Sequence, residues 1–224
     1  MQSQLIQEIV ERVIARLACP DGFATHHSYD PRVVVLGVSA RHCHLTAHHV
    51  ETLFGPGAAL NMLRPLRQPG EYASDRQITL VAAGGKCLGP VRVLGPARPA
   101  SQVEISATDA YRLGIPPPPI RASGDHRGTG GVTLVGPAGA VTLASGLIRP
   151  NRHIHMNPAE AAALGLAEGA LVDVEMSGER PALFHGCQIR VHPNFVAEMH
   201  IDTDDANAVG VKTGDFVRIM LKIP

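Results

Sequence analysis

Tryptophan is absent, and aromatic residues make up 4% of the 224-residue chain. That scarcity removes the stacking platforms on which single-strand nucleic-acid binders rely. Charge of either sign is equally lacking in excess, since Lys plus Arg and Asp plus Glu number 20 each. No overall field therefore draws the chain to nucleic acid or to an anionic membrane, and an anionic substrate must be met by locally placed cations. No apolar run approaches the ~20 residues of a membrane-spanning helix. The N-terminus carries neither a basic n-region nor a cleavage site, so the sequence predicts an intracellular protein. The four cysteines, Cys19, Cys43, Cys87 and Cys187, show no CxxC spacing. They read as small buried hydrophobes of a reducing compartment rather than as a disulfide framework.

Histidine is abundant by contrast, with 12 copies, and Gly 23 and Pro 18 favour many turns and short strands. The length suits one large domain or two small ones. Leu5, Ile6, Ile9, Val10, Val13, Ile14 and Leu17 fall on one face of a helix over residues 1–18, opposite Gln7, Glu8, Glu11, Arg12 and Arg16. Either that stripe packs on the protein's own core or it is a detachable peptide for a partner. A polar linker follows to about Asp30. Beyond it, strands are predicted over Arg32–Val38, Ile78–Val81, Val91–Leu94, Val103–Ile105, Val132–Val135, Ala140–Ala144, Leu171–Met176, Gln188–Val191, Ala197–Ile201 and Phe216–Leu221. Short helices are predicted after Thr46, Ser106, Asn157 and Asp202, each an N-cap residue type. After Asn157 come Pro158 at N1 and Glu160 as capping-box acid.

These four helix starts align. His44, Glu104, His155 and His200 each stand two residues before the cap. In the last three copies a glycine (Gly114, Gly165 or Gly210) follows ten residues after that position, where a helix of two turns needs its stop. A fourfold pseudo-repeat of strand, cap and short helix accounts for the pattern. Copies one and three also carry an HxH pair behind an arginine, as Arg41-His42-Cys43-His44 and Arg152-His153-Ile154-His155. Residues i and i+2 of a strand share a face, about 6.6 Å apart at Cα, close enough for two imidazoles to hold one metal ion. Two donor sets follow: His42, His44 and Glu104 from the first half; His153, His155 and His200 from the second. Three protein donors leave a coordination position open, which is the pattern of catalytic rather than structural metal sites. Arg98, on the turn six residues before Glu104, is placed to reach an oxyanion beside the metals. Ser39, Lys86, Arg92, Ser123 and Arg127 are weaker candidates for anion contacts, and His26, His27, His48 and His49 read as surface residues.

The blocks Ser39-Ala40-Arg41-His42-Cys43-His44-Leu45, Leu94-Gly95-Pro96-Ala97-Arg98, Gln102-Val103-Glu104-Ile105-Ser106, Arg152–Met156 and Glu198–Asp204 resemble the signatures of the PduL-type phosphate propanoyltransferases, phosphotransacylases of bacterial microcompartments. The resemblance runs from about Arg32 to the C-terminus. It implies a mainly β fold with short α-helices: two tandem β-barrel domains with capping helices, here over 31–122 and 123–224. Residues 1–20 would be an amphipathic helix serving as an encapsulation peptide, and 21–30 a linker. Two Zn2+ per chain would sit on the two donor sets, Arg98 would bind phosphate, and coenzyme A would contact Val38, Ser39, Ala40, Lys86, Arg92 and Asn207. The implied reaction exchanges coenzyme A and phosphate on a short acyl group, propanoyl or acetyl. Because no Ser-His-Asp or Cys-His arrangement stands out as a nucleophile, direct attack of a zinc-bound phosphate oxygen on the thioester carbonyl is expected, without an acyl-enzyme. Implied surroundings are the bacterial cytoplasm within a bacterial microcompartment, with propanediol degradation as one associated process and shell or core proteins meeting residues 1–18. The type of microcompartment stays open, and an exposed amphipathic helix could drive assembly into a homo-oligomer.

Two other classes compete on the residues alone. A metal-dependent hydrolase or cupin-like metalloenzyme also places HxH pairs on barrel strands, but an HxHxDH motif is missing because Thr46 and Ala47 stand where Asp and His would be. A non-catalytic, metal-stabilised shell module is the third.

Overall fold

In a computed structural model, residues 30–221 are described. The helix expected over residues 1–18 lies outside them. From β1 (Val33–Ser39) and β2 (His42–His44) the chain passes through α1 (Ala47–Phe54) to β3 (Met62–Pro65), β4 (Tyr72–Val81), β5 (Cys87–Gly95) and β6 (Gln102–Glu104). Then come α2 (Ala107–Leu113), β7 (Ile120–Arg121), β8 (Thr133–Val135), β9 (Ala140–Thr142) and β10 (Leu147–Pro150). The remainder is β11 (His153–Met156), α3 (Pro158–Ala163), β12 (Leu171–Met176), β13 (Ala182–Val191), β14 (Glu198–Asp202), α4 (Thr203–Val209) and β15 (Phe216–Met220).

The four helices among the described residues start where the caps place them. The side chains of Thr46, Ser106, Asn157 and Asp202 accept the N–H three residues on, and Asn157 completes its capping box with Glu160. At the other end, Gly114 and Gly210 take the left-handed conformation (φ 70° and 73°) that a Cβ would penalise. The first copy, looser in sequence, ends on Gly55 without a left-handed cap.

The strands form one closed barrel, in the order β1-β14-β11-β13-β12-β15, and one nine-stranded sheet, β7-β10-β6-β2-β5-β4-β8-β9 with β3 beside β4. Where two tandem barrels are expected, one barrel closes and the other sheet stays open. In the barrel β15 pairs with both β12 and β1 and so completes the circuit. In the open sheet β8 pairs with β4 and β9, while the segment ahead of β8 meets β10 in an isolated bridge between Gly130 and Leu147.

Both HxH strands have the same neighbours. β2 lies between β5 (parallel) and β6 (antiparallel), and β11 lies between β13 (parallel) and β14 (antiparallel). The strand leading into each pair, however, belongs to the other sheet. β1 precedes β2 yet runs parallel to β14 in the barrel; β10 precedes β11 yet runs parallel to β6 in the open sheet. The chain thus crosses between sheets at Ala40-Arg41 and again at Asn151-Arg152. Sheet membership consequently does not follow a division into 31–122 and 123–224.

Each sheet has its own core. Leu36, Ile154, Met156, Ile189, Met199 and Ile219 fill the barrel, while Leu45, Leu53, Leu80, Val93, Ile105 and Leu113 pack beneath the open sheet. Side-chain alternation then fixes the site. Ile154 and Met156 enter the barrel core and Cys43 the other core, all with no exposure, which turns His42, His44, His153 and His155 to the opposite face.

Candidate metal centre and anion cleft

That face is a cleft of about 700 Å³ between the two sheets, and all six expected donors line it. Strand register supplies the third donor of each set. Glu104 stands directly across the ladder from His42, and His200 directly across from His153. The donor atoms of His42, His44 and Glu104 lie within 4.8 Å of one another, as do those of His153, His155 and His200. His42 Nε2 is 3.5 Å from Glu104 Oε2, and the ring of His153 stacks on that of His200 at 5.1 Å.

Backbone carbonyls orient the first histidine of each pair identically. His42 Nδ1 is 2.9 Å from the Ala40 carbonyl and His153 Nδ1 is 2.9 Å from that of Asn151. Each ring therefore donates from Nδ1 and keeps the Nε2 lone pair for another partner. The second histidines are left short: Nδ1 of His44 and of His155 is buried with no hydrogen-bond partner. A buried imidazole nitrogen without a partner is costly unless something else binds it. Burial, with His42 and Arg98 adding to it, holds His44 well below the ordinary imidazole pKa. Burial and then His200 bring His153 down to about 3; burial, His153, His200 and Arg190 bring His155 down to about 2. Neutral imidazoles are the ligating form. Convergent donors, orphaned nitrogens and suppressed protonation together fit a divalent cation in each set.

The arginines ahead of the pairs brace the crossings. Arg41 Nε donates to Asp109 Oδ1 at 2.9 Å, and Arg152 binds both carboxylate oxygens of Asp205 at 2.8 and 2.7 Å. Asp109 and Asp205 are the N3 residues of α2 and α4, so each crossing is tied to a helix start.

Arg98 lines the cleft, with Nη2 at 2.8 Å from Glu71 Oε1 and Nη1 donating to Ser123 Oγ at 3.1 Å. Ser123 Oγ also accepts from Gln102 Nε2 at 2.9 Å, which leaves the hydroxyl proton free to be donated. Of the expected coenzyme A contacts, Val38, Ser39, Ala40 and Arg92 line the cleft. Lys86 instead lies on the β4–β5 turn against Gly114, and Asn207 is exposed on α4; neither is part of the lining. Sequence reading missed Arg64, Arg67 and Arg190, which add positive charge to the same walls, and Gln68, Phe195 and Glu198. Arg190 is brought in by register alone, opposite His155 on β13. Phe195 stacks on the His155 ring at 4.1 Å.

Similarity to known proteins points the same way. A family profile for phosphate propanoyltransferase matches residues 35–212. Proteins named phosphate propanoyltransferase from Rhodobacter capsulatus (44% identical over 213 residues, 95% of this chain and 97% of that protein) and Rhodopseudomonas palustris (44% over 226 residues, 99% of each) span nearly the whole chain. The namesake from Salmonella typhimurium is 44% identical over 211 residues, 94% of this chain and 93% of its own. With the paired donor sets and the cationic cleft in place, the chain belongs to the phosphate propanoyltransferase family of acyltransferases.

Proposed function

We propose that this chain interconverts propanoyl-CoA plus phosphate with propanoyl phosphate plus coenzyme A, takes acetyl-CoA as a second donor, and works with one Zn2+ on each donor set. The observation that carries the reading is the convergence of two three-donor sets and Arg98 on one cleft. Zinc, when bound, supplies Lewis-acid charge for an oxyanion.

The protein's own groups do the rest. The guanidinium of Arg98 is held by Glu71 and Ser123 through two of its five N–H groups, which leaves the remainder of the fork for phosphate. The Ser123 hydroxyl donates to the same anion. Val38, Ser39, Ala40 and Arg92, with Arg64 in the same cleft, meet the coenzyme A portion, and the cations answer its phosphates. A phosphate oxygen held in this way attacks the thioester carbonyl; the C–O bond forms, the C–S bond breaks, and the electron pair leaves on sulfur as coenzyme A thiolate. Cys43 is not the nucleophile, because it is buried in the core and burial pushes its thiol far above the ordinary range.

Incubation of metal-loaded protein with propanoyl-CoA, with and without phosphate, tests the reading through release of free thiol. Phosphate-dependent release is expected. Release without phosphate would instead identify a hydrolase, and none at all a non-catalytic module.

The amphipathic pattern of residues 1–18 supports a second part of the proposal, that this segment is an encapsulation peptide for microcompartment shell or core proteins in the bacterial cytoplasm. A fluorescent protein carrying residues 1–20 should co-purify with assembled shells; diffuse distribution would refute it.

A further inference from the structure

The third donor of each set has a partner two residues upstream, on the same face of its own strand. On β6, Gln102 Nε2 donates to Glu104 Oε1 at 2.6 Å; on β14, Glu198 Oε2 accepts from His200 Nε2 at 3.1 Å. The chemistry inverts to suit the donor. A carboxylate is met by an amide N–H, and an imidazole is met by a carboxylate. Both partners are almost completely buried, Gln102 at 2% and Glu198 at 6% exposure.

Each partner is in turn held from a loop of the open sheet. Gln102 Oε1 accepts from the Gly124 N–H at 2.7 Å and lies 3.1 Å from His126 Nε2, while Gln102 Nε2 also reaches Ser123, the residue bonded to Arg98. Glu198 Oε2 accepts from Gln68 Nε2 at 2.8 Å, and Gln68 is locked by both backbone groups of Val196. Room for the Glu198 carboxylate is made by Gly37 on β1, where a Cβ would sit 2.9 Å from Glu198 Oε1. Glu198 itself is not among the donor atoms that converge within 4.8 Å.

We propose that Gln102 and Glu198 are a matched pair of positioning residues, each fixing the third metal donor of its own set: Gln102 the orientation of Glu104, Glu198 the orientation and tautomer of His200. The inference rests on reading the two donor sets as metal sites. A partner that holds a ligand in place raises metal affinity without joining the coordination shell, and its loss costs roughly 10–100-fold in affinity. Because the two pairs sit on different strands, each should act on one ion only.

The test uses the full chain loaded with Co2+, whose visible bands report coordination, titrated against a chromophoric chelator. Wild-type protein should release two ions. Glu198→Gln and Gln102→Met should each still bind two, with one ion leaving about 10–100-fold more readily, the other unchanged, and band intensities preserved. Unchanged affinity for both ions in both variants overturns the proposal while leaving the metal reading intact. A change in band intensity in Glu198→Gln marks Glu198 as a direct ligand and overturns its positioning role. A wild-type chain that takes up no ion defeats the metal reading itself, and this inference with it. Thermal melts of the metal-free variants check the fold; if Gln102→Met does not fold, Glu198→Gln, which preserves side-chain shape, decides alone.

Discussion

Arg98 enters the cleft gripped on two sides, by the carboxylate of Glu71 and the hydroxyl of Ser123. A lysine there keeps the charge but loses the planar fork. Arg98→Lys should therefore lose about 1.5–3 kcal/mol of charge-assisted hydrogen bonding, read as a drop of about 10–100-fold in kcat/KM for phosphate with little change in the KM for the acyl-CoA. Steady-state kinetics with each substrate varied checks it, and an equal loss toward both substrates would remove Arg98 from the phosphate site. The cysteines offer a second check at this scale. Among the described residues Cys87 is exposed, whereas Cys43 and Cys187 are buried and burial pushes the Cys187 thiol up to about 12. Of these three, a brief treatment of native protein with iodoacetamide should label Cys87 alone by mass spectrometry. The donors are legible in the amino-acid sequence because each replaces an apolar residue at a repeat-matched position. Glu198 and Gln102 carry the same i, i+2 signal, two residues before His200 and Glu104, but a polar side chain at a strand start reads equally well as solvated surface. Arg190 has no such signal, because only pairing with β11 places it beside His155.

Short capped helices follow all four strand ends, and their caps can be read directly from residue type and spacing. Their energetic weight can be tested on α3. Asn157 accepts from the Glu160 N–H at 2.9 Å, and Glu160 accepts in return from the Asn157 N–H at 2.8 Å. Asn157→Ala removes half of that reciprocal pair and leaves one N–H of the first turn without its partner. The expected cost is about 1 kcal/mol, a fall in Tm of about 2–4 °C for a domain of this size. Differential scanning fluorimetry of metal-free protein would register it, and an unshifted Tm would mean water caps the helix equally well. The strands that escape prediction are those without a local pattern. β3 is exposed along its whole length and ends on Pro65, β7 is two residues long behind a run of prolines, and β10 is four residues ending on Pro150. Their pairing comes from neighbours distant in sequence, not from alternation within the segment.

The open sheet and the barrel are held to each other by exchanged strands, and the repeat does not encode this. Four similar units in a row suggest two similar halves in a row. What decides otherwise is that the strand before each HxH pair adds to the sheet of the other pair, beside that sheet's third-donor strand. Register between distant segments carries that information, and no local periodicity reveals it. The exchange has a consequence for the molecule as a unit. A fragment spanning 123–224 lacks β1, so its barrel opens between β14 and β15, with the edges of both strands unpaired and Leu36 missing from the core. A fragment spanning 31–122 lacks β8, β9 and β10, which leaves β6 and the Thr79–Val81 end of β4 as bare edges. Unpaired edges over an incomplete core favour aggregation over folding. Neither fragment should give a cooperative thermal melt alone, whereas co-expression of the two should yield a soluble complex that melts in one transition, because every missing pairing is restored across the cut. Circular dichroism of the separate and co-purified fragments distinguishes the cases. A cooperative melt from 123–224 alone would show that β1 is an accessory to the barrel rather than the strand that closes it.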